Sequence, residues 1–252
     1  MTYKGVGLSN PETLLEDIPG APNHDGFMFA IGPDGLLYMA TGDASEAALA
    51  QNLSSLADKV LRLNLDGTAA FDNPFGSLIF SYGHRNPQGP VFHPETRLPY
   101  ITEHGPGDND EVNIVEIGRN YGWPDVHGFC DNDVSGLNEE TFCAENNVAE
   151  PIAAWTPTIA PSGADFYDSD LISAWNGSLL FTTLKFAALI RLQLFDDGTA
   201  VRAEEIHFQD EFGRLHDVLV GPETEVYLAT SNRDGRAAPV ANDDRGLVYW
   251  PE

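Results

Sequence analysis

Residues 27–41 read Phe-Met-Phe-Ala-Ile-Gly-Pro-Asp-Gly-Leu-Leu-Tyr-Met-Ala-Thr, and this stretch indicates the fold class. Two short apolar runs, at 27–31 and 36–41, flank the turn residues at 32–35. Short apolar runs joined by turns that contain Gly, Pro and Asp are typical of antiparallel strands. The stretch therefore predicts a β-hairpin.

The same plan recurs along the chain. It forms four blade-like units, at about 24–68, 78–120, 160–200 and 211–252. Repetition at about 40 to 60 residues predicts an all-β protein, a β-propeller of four-stranded antiparallel blades. Residues 44–58 are the best helical candidate, and residues 127–158 are predicted to form an insertion loop. No linker interrupts the pattern, so residues 1–252 are predicted to form a single domain.

The charge is strongly negative. Thirty-nine acidic residues against 13 basic ones give a net charge of -26 and a sequence pI near 4.3. Such a surface repels phosphate backbones, which argues against nucleic acid as a partner. Solubility is the simplest interpretation of this charge, and binding of cations or of a basic partner is the alternative. The sequence contains no apolar run long enough to predict a membrane span. Residues 1–7 lack the apolar region of a signal peptide.

Two cysteines, Cys130 and Cys143, lie in a polar segment rich in Asn and Asp. A disulfide between them would stabilise the fold by about 3 kcal/mol in the chain-entropy model. The alternative is two unrelated thiols in a reducing compartment. We favour the disulfide because neither cysteine lies in an apolar run, and we expect a periplasmic or secreted protein.

A dense polar stretch at 82–124 holds the most unusual residues. Its runs are Ser-Tyr-Gly-His-Arg-Asn-Pro-Gln-Gly at 81–89, Glu-His-Gly-Pro at 103–106, Asp-Glu-Val-Asn at 110–113 and Gly-Arg-Asn-Tyr-Gly-Trp-Pro at 118–124. Glycines and prolines restrict the backbone, and charged or amide side chains lie between them. Loops that hold reactive groups on a rigid scaffold often have this composition.

These runs resemble the signature of the glucose/sorbosone dehydrogenase family. The similarity also covers Leu-Leu-Glu-Asp-Ile-Pro at 14–19, His24, the turn at 32–35, Asp217-Val and Gly221-Pro. The resemblance implies a six-bladed propeller that uses pyrroloquinoline quinone (PQQ) and calcium. It implies oxidation of aldose sugars to lactones by hydride transfer to the quinone, with a sugar as the small-molecule substrate. That reaction needs a base for the hydroxyl proton and cations that polarise the quinone.

The resemblance implies a role for the residues that match the family's reaction centre. His24 matches the general base, and its imidazole titrates near neutrality. Arg85 and Asn86 match the pair that contacts the quinone, with Arg85 stabilising negative charge during reduction. His104 is a further cofactor contact. Without the resemblance, His24 would be interpreted as a surface histidine and the Arg-Asn pair as a turn.

Two more residues match positions that contact the cofactor's carboxylates, and one position departs from the family. Lys185 matches the lysine that pairs with a carboxylate, and a lysine lying along an apolar edge is the alternative. Arg214 matches the first arginine of the family's Arg-x-Arg-Asp-Val. His216 occupies the second arginine position, where it offers fewer donors and a conditional charge.

The metal ligands implied by the resemblance form two sets. Gly105 and Pro106 match positions whose backbone carbonyls bind the calcium beneath PQQ. Glu111 and Tyr121 resemble ligands of a second calcium, and Asp110 is a further candidate. A plain Gly-Pro turn and ordinary surface acids are the structural alternatives.

The chain is short compared with the family. The family's first two blades precede the point where this sequence starts, and about four blades are predicted here. Open strand edges invite pairing with other chains. A four-bladed ring, a homo-oligomer that covers the edges, and blades supplied from elsewhere are the three open outcomes.

Two other functions are compatible with a propeller of this ancestry. One is a calcium-dependent hydrolase, such as a lactonase or esterase. No Gly-x-Ser-x-Gly motif occurs, which disfavours a serine hydrolase of the α/β type. The other is a binding propeller without chemistry, which the short chain and His216 favour.

Overall fold

The computed structural model describes residues 2–3, 5 and 7–250, and nearly all of its regular structure is antiparallel β-sheet. A two-stranded ribbon pairs β1 (Thr2–Tyr3) with β2 (Leu8–Ser9). The first large sheet follows, with strand order β3 (Phe27–Ile31), β4 (Leu37–Thr41), β5 (Lys59–Leu63), β6 (Ile79–Tyr82). Its first two strands are the hairpin expected from residues 27–41. The predicted all-β class is confirmed.

Three further sheets follow in chain order. The second contains β7 (Pro87–Phe92), β8 (Pro99–Glu103), β9 (Asp110–Ile114) and β10 (Ala153–Trp155). The third contains β11 (Pro161–Tyr167), β12 (Ser178–Thr183), β13 (Leu189–Leu194) and β14 (Val201–His207). The fourth contains β15 (Leu215–Val220), β16 (Val226–Thr230) and β17 (Gly246–Tyr249).

The large sheets are arranged in a propeller-like array. Their first strands, β3, β7, β11 and β15, are neighbours in that order. Side chains alternate between the two faces of a strand, so an apolar face of each sheet meets the next sheet. Three buried clusters fill the gaps between consecutive sheets, and their largest buried members include Phe80, Tyr100, Phe181 and Tyr167. Burying each such side chain contributes about 1.5–3 kcal/mol.

The sheets differ from the predicted units in four places. Strand β14 lies just beyond the end of the third unit at about 160–200. Strand β6 completes the first sheet, although residues 78–82 were assigned to the second unit. Strand β10 lies inside the predicted insertion at 127–158 and pairs with β9 through Ala153 and Val112. The fourth sheet has three strands in the described part of the chain, where four were expected. Strand pairing depends on distant partners, which a local pattern does not contain.

The helices are short and lie outside the sheets. The helical candidate at 44–58 contains only a single 3-10 turn, Ala47–Leu49. The α-helix, α1 (Glu139–Asn146), lies instead within the 127–158 segment. It ends at Asn147, whose left-handed backbone lets its N–H bond the carbonyl of Cys143.

Cys130 and Cys143 form the predicted disulfide, with an S–S distance of 2.01 Å. It joins the loop after residue 128 to α1.

Among the described residues, no helix has the length and apolar character needed to cross a membrane.

Candidate active site

His24 and Asp43 form the first part of the site, where the loop before β3 meets the end of β4. His24 Nδ1 lies 2.7 Å from Asp43 Oδ1, and Asp43 is almost fully buried. Asp43 Oδ1 also accepts a bond from the backbone N–H of Ser45. A Cβ at Gly42 would overlap the carbonyl oxygen of His24, so only glycine permits this close approach. His24 itself has a left-handed backbone, with φ of 58°, as residues at functional sites often do.

Arg85 completes this group from the loop between β6 and β7. Its Nη2 lies 3.1 Å from His24 Nε2, and its Nη1 donates to the carbonyls of His104 and Gly105. A guanidinium only donates, so Nε2 of His24 is the acceptor and Nδ1 carries the proton given to Asp43. The imidazole is therefore held in the tautomer whose Nε2 carries the lone pair, which here accepts from Arg85.

Glu103 and Trp123 hold Arg85 in place. The Glu103 carboxylate accepts the backbone N–H of Arg85 and, at 3.0 Å, the Nδ1 of His84. The guanidinium lies 5.2 Å from the centre of the Trp123 ring, in a cation–π arrangement. The Arg85 Nε is buried and has no partner among the described residues, and burial lowers the pKa of this side chain.

Asn86 and His104 form a second pair beside Arg85. His104 Nε2 lies 2.6 Å from the carbonyl oxygen of Pro161, which can only accept. His104 Nδ1 is therefore the acceptor for Asn86 Nδ2, at 3.4 Å. Burial lowers the pKa of His104 to about 4, so this ring is neutral at pH 7.

A cavity of about 610 Å³ opens onto these groups. Its lining residues come from the first, second, third and fourth sheets and their loops: Pro22, Asn23, His24, Asp25, Ser45, Asn86, His104, Ala160, Leu184, Arg214 and Arg236. The tertiary structure thus brings His24, Asn86, His104 and Arg214 together, as the sequence predicted. Arg214 is fixed by the carbonyls of Ser231 and Leu184 and by Asp234, at 2.9 Å.

Three predicted cofactor contacts, Arg85, Lys185 and His216, lie outside the set of lining residues, although Arg85 contacts the lining residue His24. Lys185 is exposed, and its Nζ donates to Thr158 Oγ1 at 2.6 Å. His216 lies on β15 with an exposed side chain. Only Leu184, the neighbour of Lys185, contributes from that loop to the cavity wall.

The predicted metal ligands Gly105, Pro106, Glu111 and Tyr121 lie around a second, much smaller void. Its volume is about 10 Å³, enough for one water-sized particle. Arg85 and Glu103 line it too. Burial and the nearby charge of Glu103 raise the pKa of Glu111 to about 8.

The acceptor atoms at this void are partly in use. Glu111 Oε1 accepts from the N–H of Gly128, and Oε2 accepts from Asn113 Nδ2, both at 2.8 Å. The carbonyl of Gly105 accepts from Arg85 at 2.9 Å. A carboxylate or carbonyl oxygen has two lone pairs, so each keeps acceptor capacity.

Asp110, the remaining metal candidate, lies with its carboxylate on backbone amides. It accepts the N–H groups of Gly105, Ile159 and Ala160 at 2.6–2.7 Å. Burial raises the pKa of Asp110, although these three bonds oppose the shift. Asp110 therefore ties the loop at 105 to the strand entry at 159–160.

Four residues of the site are not indicated by the motifs in the sequence: Asp43, Glu103, Trp123 and Arg236. Asp43 had a usable signal, because an acid directly after the buried strand β4 is typical of a functional loop. Glu103 and Trp123 were within the quoted runs but had no assigned role. Arg236 reaches the cavity through a long loop, and no local pattern indicates this.

Comparisons with known proteins show one family over nearly the whole chain. The family model described as Glucose / Sorbosone dehydrogenase matches residues 2–239. Aldose sugar dehydrogenase YliI of Escherichia coli is 31% identical over 237 residues, covering 91% of this chain and 63% of that protein. Quinoprotein glucose dehydrogenase B of Acinetobacter calcoaceticus is 27% identical, covering 96% of this chain and 65% of that protein.

Among solved structures, the PQQ-bound aldose sugar dehydrogenase of Streptomyces coelicolor is similar with a TM-score of 0.80. It is 35% identical, over 94% of this chain and 65% of that one. The chain thus spans less than two thirds of the length of these relatives.

Proposed function

Because the chain belongs to the glucose/sorbosone dehydrogenase family, we propose that it oxidises aldose sugars to lactones with PQQ and calcium. The observation that carries the proposal is the Asp43–His24–Arg85 group at the cavity. Its contacts leave a proton-accepting Nε2 beside a cation, as oxidation of a hydroxyl requires.

PQQ fits the cavity in size and in charge. A volume of about 610 Å³ lies within the usual range of small-molecule sites. Arg214 and Arg236 line it in a chain that has only 13 basic residues, and arginine suits a cofactor carboxylate. Asn86, which also lines the cavity, offers a further donor. When bound, PQQ supplies the acceptor for the hydride that leaves the sugar carbon.

His24 is the base in this proposal. The sugar hydroxyl gives its proton to Nε2, in place of the contact that Arg85 makes there. Asp43 then stabilises the positive imidazolium through Nδ1 and keeps the ring from turning. Arg85 is held by Trp123 and by the carbonyls at 104 and 105, where it can stabilise the negative charge that develops during the reaction.

Calcium would be held by oxygen donors at the floor of the site. The carbonyls of Gly105 and Pro106 would hold the calcium of the cofactor site, and the Glu111 carboxylate and the Tyr121 backbone would hold a second calcium. All are hard oxygen ligands of the type calcium prefers. Their common void and the raised pKa of Glu111 support a cation there, because a cation would relieve the cost of two neighbouring carboxylates. Lys185 and His216 are proposed as cofactor contacts, which requires their exposed side chains to turn towards the cavity. Asp110 positions the backbone at Gly105.

We further propose that residues 1–252 form one domain whose four large sheets are blades of a larger propeller. Apolar side chains support this, because they are exposed on the outer face of each terminal sheet. Phe29 is 64% exposed on the first sheet, and Leu219 is 58% exposed on the fourth. A homo-oligomer that covers these faces is testable by light scattering. The Cys130–Cys143 disulfide supports a periplasmic or secreted location.

Reconstitution tests the function. Chelator-stripped protein receives PQQ and Ca²⁺, and reduction of an artificial dye is followed with a panel of aldoses. We expect turnover that requires both additions, with a PQQ-dependent shift in absorbance and melting temperature. Absence of any shift at micromolar PQQ would exclude the proposal. Lactone or ester hydrolysis that EDTA abolishes, without PQQ, would indicate a hydrolase instead.

A further inference from the structure

The disulfide-bonded segment contains a pattern that the proposed dehydrogenase does not use. Residues 131–136 read Asp-Asn-Asp-Val-Ser-Gly, and Glu139 follows. Acidic residues at positions 1 and 3, a serine at 5 and glycine at 6 match the first half of an EF-hand calcium loop. Glu139 falls at position 9, which contributes to such a site, often through a water molecule. Phe142 stands at position 12, where the EF-hand has glutamate.

The three carboxylates converge in space. One oxygen each from Asp131, Asp133 and Glu139 lies within 4.8 Å of the others. Glu139 is 0% exposed, and its Oε2 has no hydrogen-bond partner among the described residues. A buried carboxylate oxygen without a partner is costly, and a bound cation removes that cost.

Local charge also favours a cation. No lysine or arginine occurs between Arg119 and Lys185. Within the described ranges, none of the three carboxylates forms an ion pair. The nearest compensation for Glu139 is the backbone N–H of His127, which donates to Oε1 at 2.9 Å.

The backbone is shaped to keep the acids together. Asp131 Oδ1 accepts the N–H of Asp133 at 3.1 Å, which folds the loop back on itself. Gly136 has φ of 98°, a conformation that the sixth position of a calcium loop needs and side chains disfavour. The Cys130–Cys143 disulfide closes the loop on both sides of the carboxylates.

We propose that Asp131, Asp133 and Glu139 bind a calcium ion, separate from the cation sites of the proposed dehydrogenase. Three carboxylates on an irregular loop suit Ca²⁺ better than Mg²⁺, which requires stricter octahedral geometry. Extracellular calcium modules typically bind with Kd of about 10⁻⁴–10⁻³ M, and we expect this range.

The ion would stabilise one wall of the active site. His127, whose N–H bonds Glu139, stacks on Trp123 with ring centres 5.2 Å apart. Trp123 in turn lies against Arg85. Ordering of the loop by calcium therefore affects Trp123, which holds Arg85 in place, and affects no reacting atom directly.

Calorimetric titration tests the site. Ca²⁺ is titrated into chelator-stripped wild type and into the double variant Asp131→Asn/Asp133→Asn. The matched control is Asp168→Asn/Asp170→Asn, an exposed acidic pair with the same spacing and no buried third carboxylate. We expect the wild type and the control to bind one more calcium than the double variant. Equal stoichiometry in all three proteins would overturn the proposal, whether or not PQQ binds.

Hydrogen exchange on the wild type gives an independent test that needs no variant. Peptides from 128–145 are compared with and without millimolar Ca²⁺, with peptides from 168–177 as the internal reference. We expect calcium to slow exchange at 128–145 by more than at the reference, and Mg²⁺ to have a smaller effect. Equal slowing in both regions would contradict a local site.

Discussion

The two walls of the cavity are built differently. On the wall from the first two sheets, His24, Asp43 and Arg85 each have at least two polar partners, and Asp43 is almost fully buried. Beside the wall from the third and fourth sheets, Lys185 and His216 are exposed and lie outside the lining, whereas Arg214 lines the cavity and has several fixed contacts. The groups proposed for chemistry are thus preorganised, whereas the groups proposed for the cofactor's carboxylates are mostly not.

The largest effect on activity is expected for His24→Gln, on the first wall. Glutamine keeps a polar group on the first wall but provides no base, so we expect kcat to fall by about 10²–10⁴-fold. PQQ affinity should stay unchanged, as measured by absorbance titration. His207→Gln, on β14 outside the cavity, is the control. A variant of His24 with wild-type kcat would show that the first wall is not the reaction centre.

Asp43→Asn should give the next largest effect. The amide still contacts Nδ1 but no longer stabilises the imidazolium, so we expect kcat to fall by about 10²-fold with little change in KM. The dependence of kcat on pH should also change. Asp25→Asn removes the same charge near His24, and its carboxylate bonds Ala21 instead. Equal effects of the two substitutions would mean that net charge, and not the Asp43 contact, matters.

Substitutions on the second wall should affect cofactor binding and not the chemical step. Arg214→Gln removes a charge-assisted donor, and we expect the Kd for PQQ to rise by about 10–100-fold. His216→Gln should change Kd by less than about twofold, because its side chain is exposed outside the cavity. Titration with PQQ and Ca²⁺ measures both values. A large effect of His216→Gln would show that this side chain turns inwards when PQQ binds.

The last expected effect is on stability and not on activity, and it concerns Glu111, which lines the smaller void. Burial raises its folded-state pKa to about 8, above the unfolded value of 4.5, so folding binds a proton between these values. Without calcium, the free energy of unfolding should therefore fall as the pH rises from 4.5 to 8, by up to about 1.4 kcal/mol per pH unit.

Glu111→Gln should flatten this dependence, as measured by melting temperature in EDTA between pH 5 and 8. Asp58, whose pKa burial also raises, acts with the same sign in both proteins, so the difference isolates Glu111. Calcium should restore the wild-type stability at pH 8 and have less effect on the variant. Identical pH curves for the two proteins would exclude a role of Glu111 in this window.

Much of the first wall was predictable from local sequence. The run at 81–89 and the His24 loop are close to their strands, so the short motif already specifies Arg85, Asn86 and their turn. The second wall was less predictable. The resemblance names Lys185 and Arg214 as cofactor contacts, yet only the contacts across sheets determine that Arg214 lines the cavity and Lys185 bonds Thr158. Asp43 was missed because its partner lies 19 residues away.

By itself, the sequence determined the all-β class, the family and the residue types available for chemistry, because strand alternation, turn residues and short motifs are local properties. The tertiary structure alone decided that β10 completes the second sheet and that Asp43 fixes the tautomer of His24. It also decided that Asp131, Asp133 and Glu139 converge beside the disulfide. These features depend on strand pairing, on burial and on distances between residues far apart in the chain, which no local pattern contains.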